Sequence, residues 1–242
     1  VEAGDGGAAQ AFEHLDLDFV GSQGGQAVES GGKRGLRFAR QPGDEVGVEV
    51  DAGVVAQPLQ RCGGVCGVLR AADPARDIRR YLDDARALNA RITRIYLTHS
   101  HADFVAGHTE LAQATGAKVI VNRATGAGYP HEPVGDGDAI AFGRVKGVVL
   151  TTPGHTPDGI CPLLYAPADA PAPRLLFTGD TLFRMSCGRY DFPGSSSLDL
   201  GHSLEKLRDL PGDYEVYPGH MDSTSLEYER RFNPYMLRPW DL

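Results

Sequence analysis

Four short segments constrain this 242-residue chain more than anything else in it: T-H-S-H-A-D-F at 98–104, T-P-G-H-T-P-D at 152–158, F-T-G-D-T-L-F at 177–183 and Y-P-G-H at 217–220. Each follows an apolar run of strand length, and each puts a His or an Asp in the loop just after it. Strands that end on one edge of a sheet bring their loops together. Residues distant in sequence are therefore expected to converge.

The residue types are suited to one task. Imidazole nitrogen and carboxylate oxygen are the ligands a divalent metal of intermediate softness takes. In His99-x-His101 the two rings lie two positions apart, on the same side of an extended segment. The glycines of P-G-H and T-G-D allow turns tight enough to bring backbone close to an ion. A lone histidine at a strand end or a lone Asp after Gly is ordinarily a surface or turn residue. Four such segments in series point to a metal cluster.

The elements around these segments alternate. V-G-V-E-V at 46–50 reads as a strand, as does V-L-R-A-A up to Asp73-Pro74. Ile78, Leu82, Ala85 and Leu88 stripe a helix over 77–89. R-I-T-R-I-Y-L-T leads as a strand into His99, and 107–115 forms a short helix. K-V-I-V-N, V-K-G-V-V-L-T, R-L-L-F-T and Y-E-V-Y are further strands, and Leu200, Leu204, Leu207 and Leu210 mark a second clear helix. A helix over 227–232 closes the series before Asn233-Pro234. This alternation with short connections is that of a layered α/β protein. Residues 1–67 hold almost half of the 31 glycines. They are expected to be strands of the same domain as a core at 68–242.

Charge and cysteine usage exclude some classes. The formal net charge is -8, which argues against nucleic acid as a partner, because binding it requires a basic face. No run approaches the roughly 18 apolar residues of a membrane helix, and the N-terminus lacks the basic start and apolar stretch of a secretory signal. Four cysteines, Cys62, Cys66, Cys161 and Cys187, are too sparse for a disulfide scaffold, so a cytoplasmic location is expected. Cys62 and Cys66 lack the second Cys or His pair of a zinc site. Cys161 and Cys187 are expected to be buried, and Arg189 to pair with Asp191.

The ordered series H-x-H-x-D, P-G-H-T, T-G-D and P-G-H resembles the metallo-β-lactamase superfamily over roughly 68–237, in particular its glyoxalase II-like and persulfide dioxygenase-like branches. The resemblance implies an αββα sandwich with a metal site at one edge of the two sheets. It implies His99, His101, His155 and Asp180 as metal ligands, with Asp180 able to bridge to a second site formed with Asp103 and His220. The family motif reads H-x-H-x-D-H, and here its last position is Phe104. A nitrogen ligand of the second site is lost, so one metal, zinc or iron(II), is expected. His108 is expected to be structural.

Two reactions follow from the resemblance. In the first, a metal-activated water hydrolyses a small thioester, with Asp103 accepting a proton or orienting the water and His220 contacting substrate or water. The substrate is then a small thiol-derived molecule, in one form glutathione-linked. In the second, a mononuclear non-haem iron centre of His99, His155 and Asp180 oxygenates a persulfide, and Phe104 fits because no second metal is needed. A third reading is a degenerate metal-binding protein without turnover.

Overall fold

The computed structural model describes residues 67–87, 89–101, 105–142, 145–165 and 173–241, with backbone alone for the strands at 36–37, 47–50, 54–58 and 67–70. The chain divides into two compact units. One runs through Tyr96 and takes in Phe104–Val119 and Ala141–Arg144; the other holds Leu97–Asp103, Ile120–Ile140 and Val145–Leu242.

In the first unit, β1 (Leu36–Arg37), β2 (Gly47–Val50), β3 (Val54–Pro58) and β4 (Gly67–Ala72) pair antiparallel in sequence order. The strand read at 46–50 is present over Gly47–Val50, and 1–67 contributes three strands beside β4. A parallel strand β5 (Ala90–Tyr96) follows β4 through helix α1 (Arg79–Ala87), the crossover that parallel pairing requires.

Helix α1 shows where packing overrides a stripe read from sequence. Ile78 and Leu82 are only half-buried, whereas Tyr81 and Ala85 are buried. Tyr81 is also useful at its polar end, where its hydroxyl accepts the Ala75 N–H at 2.8 Å. The first turn is exposed, and there the Arg79 guanidinium holds the Asp77 carboxyl at about 2. Helix α2 (His108–Thr115) buries Leu111 and ends where Gly116 adopts φ 72, the left-handed cap that glycine favours. Both helices pack on β5.

The second unit holds β6 (Lys118–Asn122) from Ile120 onward, with β7 (Glu132–Val134) parallel beside it. After β8 (Ala139–Phe142) come β9 (Val145–Thr151) and β10 (Ile160–Tyr165), an antiparallel pair. Strand β11 (Leu175–Gly179) pairs antiparallel with β10 and leads into a hairpin of β12 (Leu182–Phe183) and β13 (Ser186–Cys187). Strand β14 (Glu215–Pro218) pairs parallel with β11, and β15 (Thr224–Ser225) lies antiparallel outside it. Because β10 opposes both neighbours, β9, β11 and β14 run in one direction. Their carboxyl ends carry the P-G-H, T-G-D and Y-P-G-H segments, the position where α/β sheets build sites.

Helix α3 (Ser197–Arg208) is fixed by local chemistry and by its core. The Ser196 hydroxyl caps it by accepting the Asp199 N–H, while Lys206 and Arg208 lie in the last turn. Leu200, Leu204 and Leu207 are buried with Leu176, Leu182, Val216, Leu226 and Met236 in one cluster. Burying a leucine contributes about 1.5–3 kcal/mol, which holds α3 on the sheet more firmly than its cap does. Two short helices, α4 (Leu226–Phe232) and α5 (Pro234–Leu237), close the unit and bring Leu226 and Met236 to the same cluster. No helix among the described residues is long and apolar enough to cross a membrane.

Candidate metal centre

His99 is held from both sides by backbone. The Leu97 N–H donates to the Ile120 carbonyl at 3.0 Å, and the Ile160 N–H donates to the Thr98 carbonyl at 2.8 Å. One residue further on, Ser100 donates its N–H (3.2 Å) and its hydroxyl (2.6 Å) to the carboxylate of Asp158. Burial raises the Asp158 carboxyl, but hydrogen bonds from Ser100 and Thr125 outweigh it and leave the group below its ordinary value. An ionised carboxylate thus clamps the H-S-H segment to the β9–β10 connection.

That connection carries His155. The Gly154 carbonyl accepts the Ser196 N–H at 2.8 Å, which couples the P-G-H turn to the start of α3. On its other side, His155 Nδ1 lies 2.9 Å from the Arg189 carbonyl oxygen. A carbonyl only accepts, so Nδ1 carries a proton, and in the neutral ring Nε2 then keeps its lone pair. That nitrogen lies 3.6 Å from Asp180 Oδ2. Metal-binding histidines are oriented in this way.

Asp180 follows β11, and its neighbour in space is decided by the parallel register, which pairs Gly179 with Pro218. The two loops then run side by side, and His220 Nε2 lies 3.3 Å from Asp180 Oδ2. The approach is so close that a Cβ on Gly219 would collide with Asp180 Oδ1. Gly179, at φ 45, likewise leaves no space for a side chain against Thr98. A side chain at either glycine forces a neighbour to shift, Thr98 in one case and Asp180 in the other.

His99, His155 and Asp180 thereby form a group whose ligand atoms lie within 4.8 Å of one another, one that can hold a metal ion. His99 and Asp180 are buried, 5% and 9% exposed, and His155 is partly buried. The donor set fits a divalent ion: two imidazoles, one with its Nδ1 committed to a carbonyl, and one carboxylate. The ring of His101 stands 4.2 Å from that of His99, beside the group of three. His220 is at the rim, its side chain 51% exposed. Asp103 and Phe104 lie outside the described residues, as do Cys62 and Cys66. His108 is half-buried at the start of α2.

The remaining side chains behave as ordinary structure. Arg189 pairs with Asp191 at 2.9 Å. Cys161 and Cys187 are buried and free of disulfides. Burial pushes their thiols up to about 11 and about 12, so neither is a thiolate at neutral pH. Sequence reading missed Asp158, because T-P-D is a common turn sequence. It also missed the Arg189 carbonyl, a backbone contribution with no residue-type signal at all.

An α/β protein with two histidines and an aspartate gathered at the carboxyl ends of strands is thus defined. The model of the metallo-beta-lactamase superfamily matches residues 67–220, and the chain belongs to that superfamily, with the α/β fold the motif series implied. Its glyoxalase II-like likeness is visible in the hydroxyacylglutathione hydrolase of Brucella ovis, 40% identical over 146 residues that make up 57% of this chain and 54% of that protein. The chain therefore spans about half the length of that relative. Among solved structures, ETHE1 from Myxococcus xanthus is 31% identical with a TM-score of 0.64, covering 76% of this chain and 80% of that one. TTHA1623 in a di-iron-bound form is 29% identical with a TM-score of 0.58, covering 77% and 96%.

Proposed function

We propose that this chain is a metal-dependent hydrolase of a small thioester, with His99, His101, His155 and Asp180 as ligands of one divalent metal, zinc or iron(II). The observation that carries the reading is the convergence of His99, His155 and Asp180 within 4.8 Å, with the His155 tautomer set by a backbone carbonyl. When bound, such a metal supplies Lewis acidity towards water and a carbonyl oxygen. His220, half-exposed and next to Asp180, hydrogen-bonds substrate or water at the rim. Asp103 accepts a proton from, or orients, the attacking water. The Brucella relatives support a glutathione-linked thioester as the substrate, and sparse cysteines with free Cys161 and Cys187 support a reducing cytoplasm.

The second reading, a mononuclear iron persulfide dioxygenase, is favoured by one specific feature. Two histidines and one carboxylate are the ligand pattern of non-haem iron oxygenases, and the likeness to ETHE1 supports it. Elemental analysis of protein purified without added metal or chelator separates the two, followed by thioester hydrolysis and by oxygen uptake with glutathione persulfide. Zinc with thioester turnover supports the hydrolase. One equivalent of iron with oxygen uptake replaces it by the dioxygenase. Metal without turnover on either substrate leaves a degenerate binding protein, and no metal after reconstitution overturns the site. Phe104→His is expected to add a second equivalent; retention of one would contradict the account of the missing ligand.

A further inference from the structure

Glu229 in α4 and Asn233 between α4 and α5 lie outside the cluster and are completely buried, each at 0% exposure. Their partners lie in the β12–β13 hairpin. Glu229 Oε2 accepts the Met185 N–H at 2.8 Å. Asn233 Nδ2 donates to the Phe183 carbonyl at 3.2 Å, the Ser186 carbonyl at 2.9 Å and Glu229 Oε2 at 2.9 Å. Glu229 Oε1 accepts the Thr224 hydroxyl at 2.7 Å, and Asn233 Oδ1 caps α5 by accepting the Tyr235 N–H at 2.9 Å. Four backbone groups are satisfied by two side chains.

The hairpin turn calls for such support. Met185 sits at φ 59, a conformation in which a turn favours Gly or Asn. A non-glycine residue stays there only when its surroundings hold it, and the Glu229 carboxylate does so by gripping the Met185 amide. The other end of the hairpin touches the site. Immediately after β13, Gly188 packs so closely that a Cβ would collide with the Asp180 carbonyl. The next carbonyl, that of Arg189, fixes the His155 ring. Within the hairpin, the Phe183 ring stands edge-on to His220 at 5.6 Å.

We propose that Glu229 and Asn233 are positioning residues for the candidate metal centre. They act through the β12–β13 hairpin to hold the Gly188–Arg189 backbone against Asp180 and His155. This rests on the metal reading above. Loss of the network lets the hairpin relax, the Arg189 carbonyl withdraws from Nδ1, and His155 is freed to turn and to change tautomer.

The test is Co(II) affinity, by chelator competition on the full chain, with the visible spectrum of the Co(II)-loaded protein. Removal of a group that orients a metal ligand costs 10–100-fold in affinity. That loss is expected in Glu229→Ala and Asn233→Ala, together with an altered Co(II) spectrum. Glu229→Gln keeps an oxygen for the Met185 amide and an N–H for the Thr224 hydroxyl, so affinity and spectrum are expected to return to within about twofold. Leu207→Ala, which opens a cavity in the same unit with comparable loss of Tm, is expected to leave both unchanged. Met185→Gly removes the turn's need for support and is expected to rescue Glu229→Ala, including when the single variant does not fold. Unchanged Co(II) affinity in folded Glu229→Ala, an equal loss in Leu207→Ala, or no rescue by Met185→Gly overturns the positioning role. Failure of the unaltered protein to bind Co(II) at all instead overturns the metal reading.

Discussion

His155 and His220 reach the same oxygen, Asp180 Oδ2, at 3.6 and 3.3 Å, yet they are built differently. The His155 side chain is 12% exposed and its Nδ1–H is held by a backbone carbonyl. The His220 side chain is 51% exposed, follows a glycine and is succeeded by Met221 at φ 70. A largely covered ring with one nitrogen committed has only the other left to offer, which suits a metal ligand. An exposed ring at the rim can meet substrate and exchange protons with solvent. Distance to a shared carboxylate does not distinguish the two rings; their exposure does.

The sharpest way to break the comparison is to remove the buried partners. His155→Ala and Asp180→Ala are each expected to lower metal affinity by more than the 10–100-fold of a supporting group. Atomic absorption after dialysis checks this, and full retention in both sinks the site assignment. His220→Ala is expected to keep one equivalent of metal while thioester hydrolysis falls by roughly 10²–10³, the range for a lost hydrogen bond to the reacting atoms. Loss of the metal together with the rate would place His220 among the ligands. Gly219→Ala inserts a methyl against Asp180 Oδ1 and is expected to weaken metal binding by about tenfold, with little change in Tm.

The clamp beneath His99 has its own signature. Removing the Asp158 carboxylate leaves the Ser100 N–H and the Ser100 and Thr125 hydroxyls without an acceptor, so Asp158→Ala is expected to cost about 1–3 kcal/mol in denaturant unfolding. The folded carboxyl lies below its unfolded value of about 3.9. Its stabilisation is therefore complete above roughly pH 4 and is lost as pH falls through the folded pKa. Asp158→Asn is expected to flatten the acid limb of stability; an unchanged limb would deny the carboxylate its role. The smallest effect belongs to the exposed Asp77–Arg79 pair, where Asp77→Ala is expected to leave Tm unchanged.

Much of the second unit was legible, because its signals are local. Strands at 118–122, 145–151 and 215–218 stand where apolar runs predict them, and the α3 stripe of Leu200, Leu204 and Leu207 is the buried face. Its fourth predicted member, Leu210, lies beyond the helix, which ends at Arg208. In α1 the face was displaced: of the stripe Ile78, Leu82, Ala85 and Leu88, Ala85 is buried, Leu88 lies outside the described residues, and Tyr81 takes the place of Ile78 and Leu82, because an aromatic ring with a polar tip buries more surface and still satisfies the Ala75 amide.

The sequence by itself determined the family, through four strand-end motifs in series, and it named the candidate donors His99, His155 and Asp180 that the fold gathers. Only the tertiary structure decided which donors meet and what holds them. The parallel register of β11 and β14 set His220 beside Asp180, and the carbonyl of Arg189 chose the tautomer of His155. Glu229 and Asn233 entered the picture through backbone amides and carbonyls. The physical reason is that backbone groups are alike in every residue. Where they point is a property of packing, which a string of side-chain names does not contain.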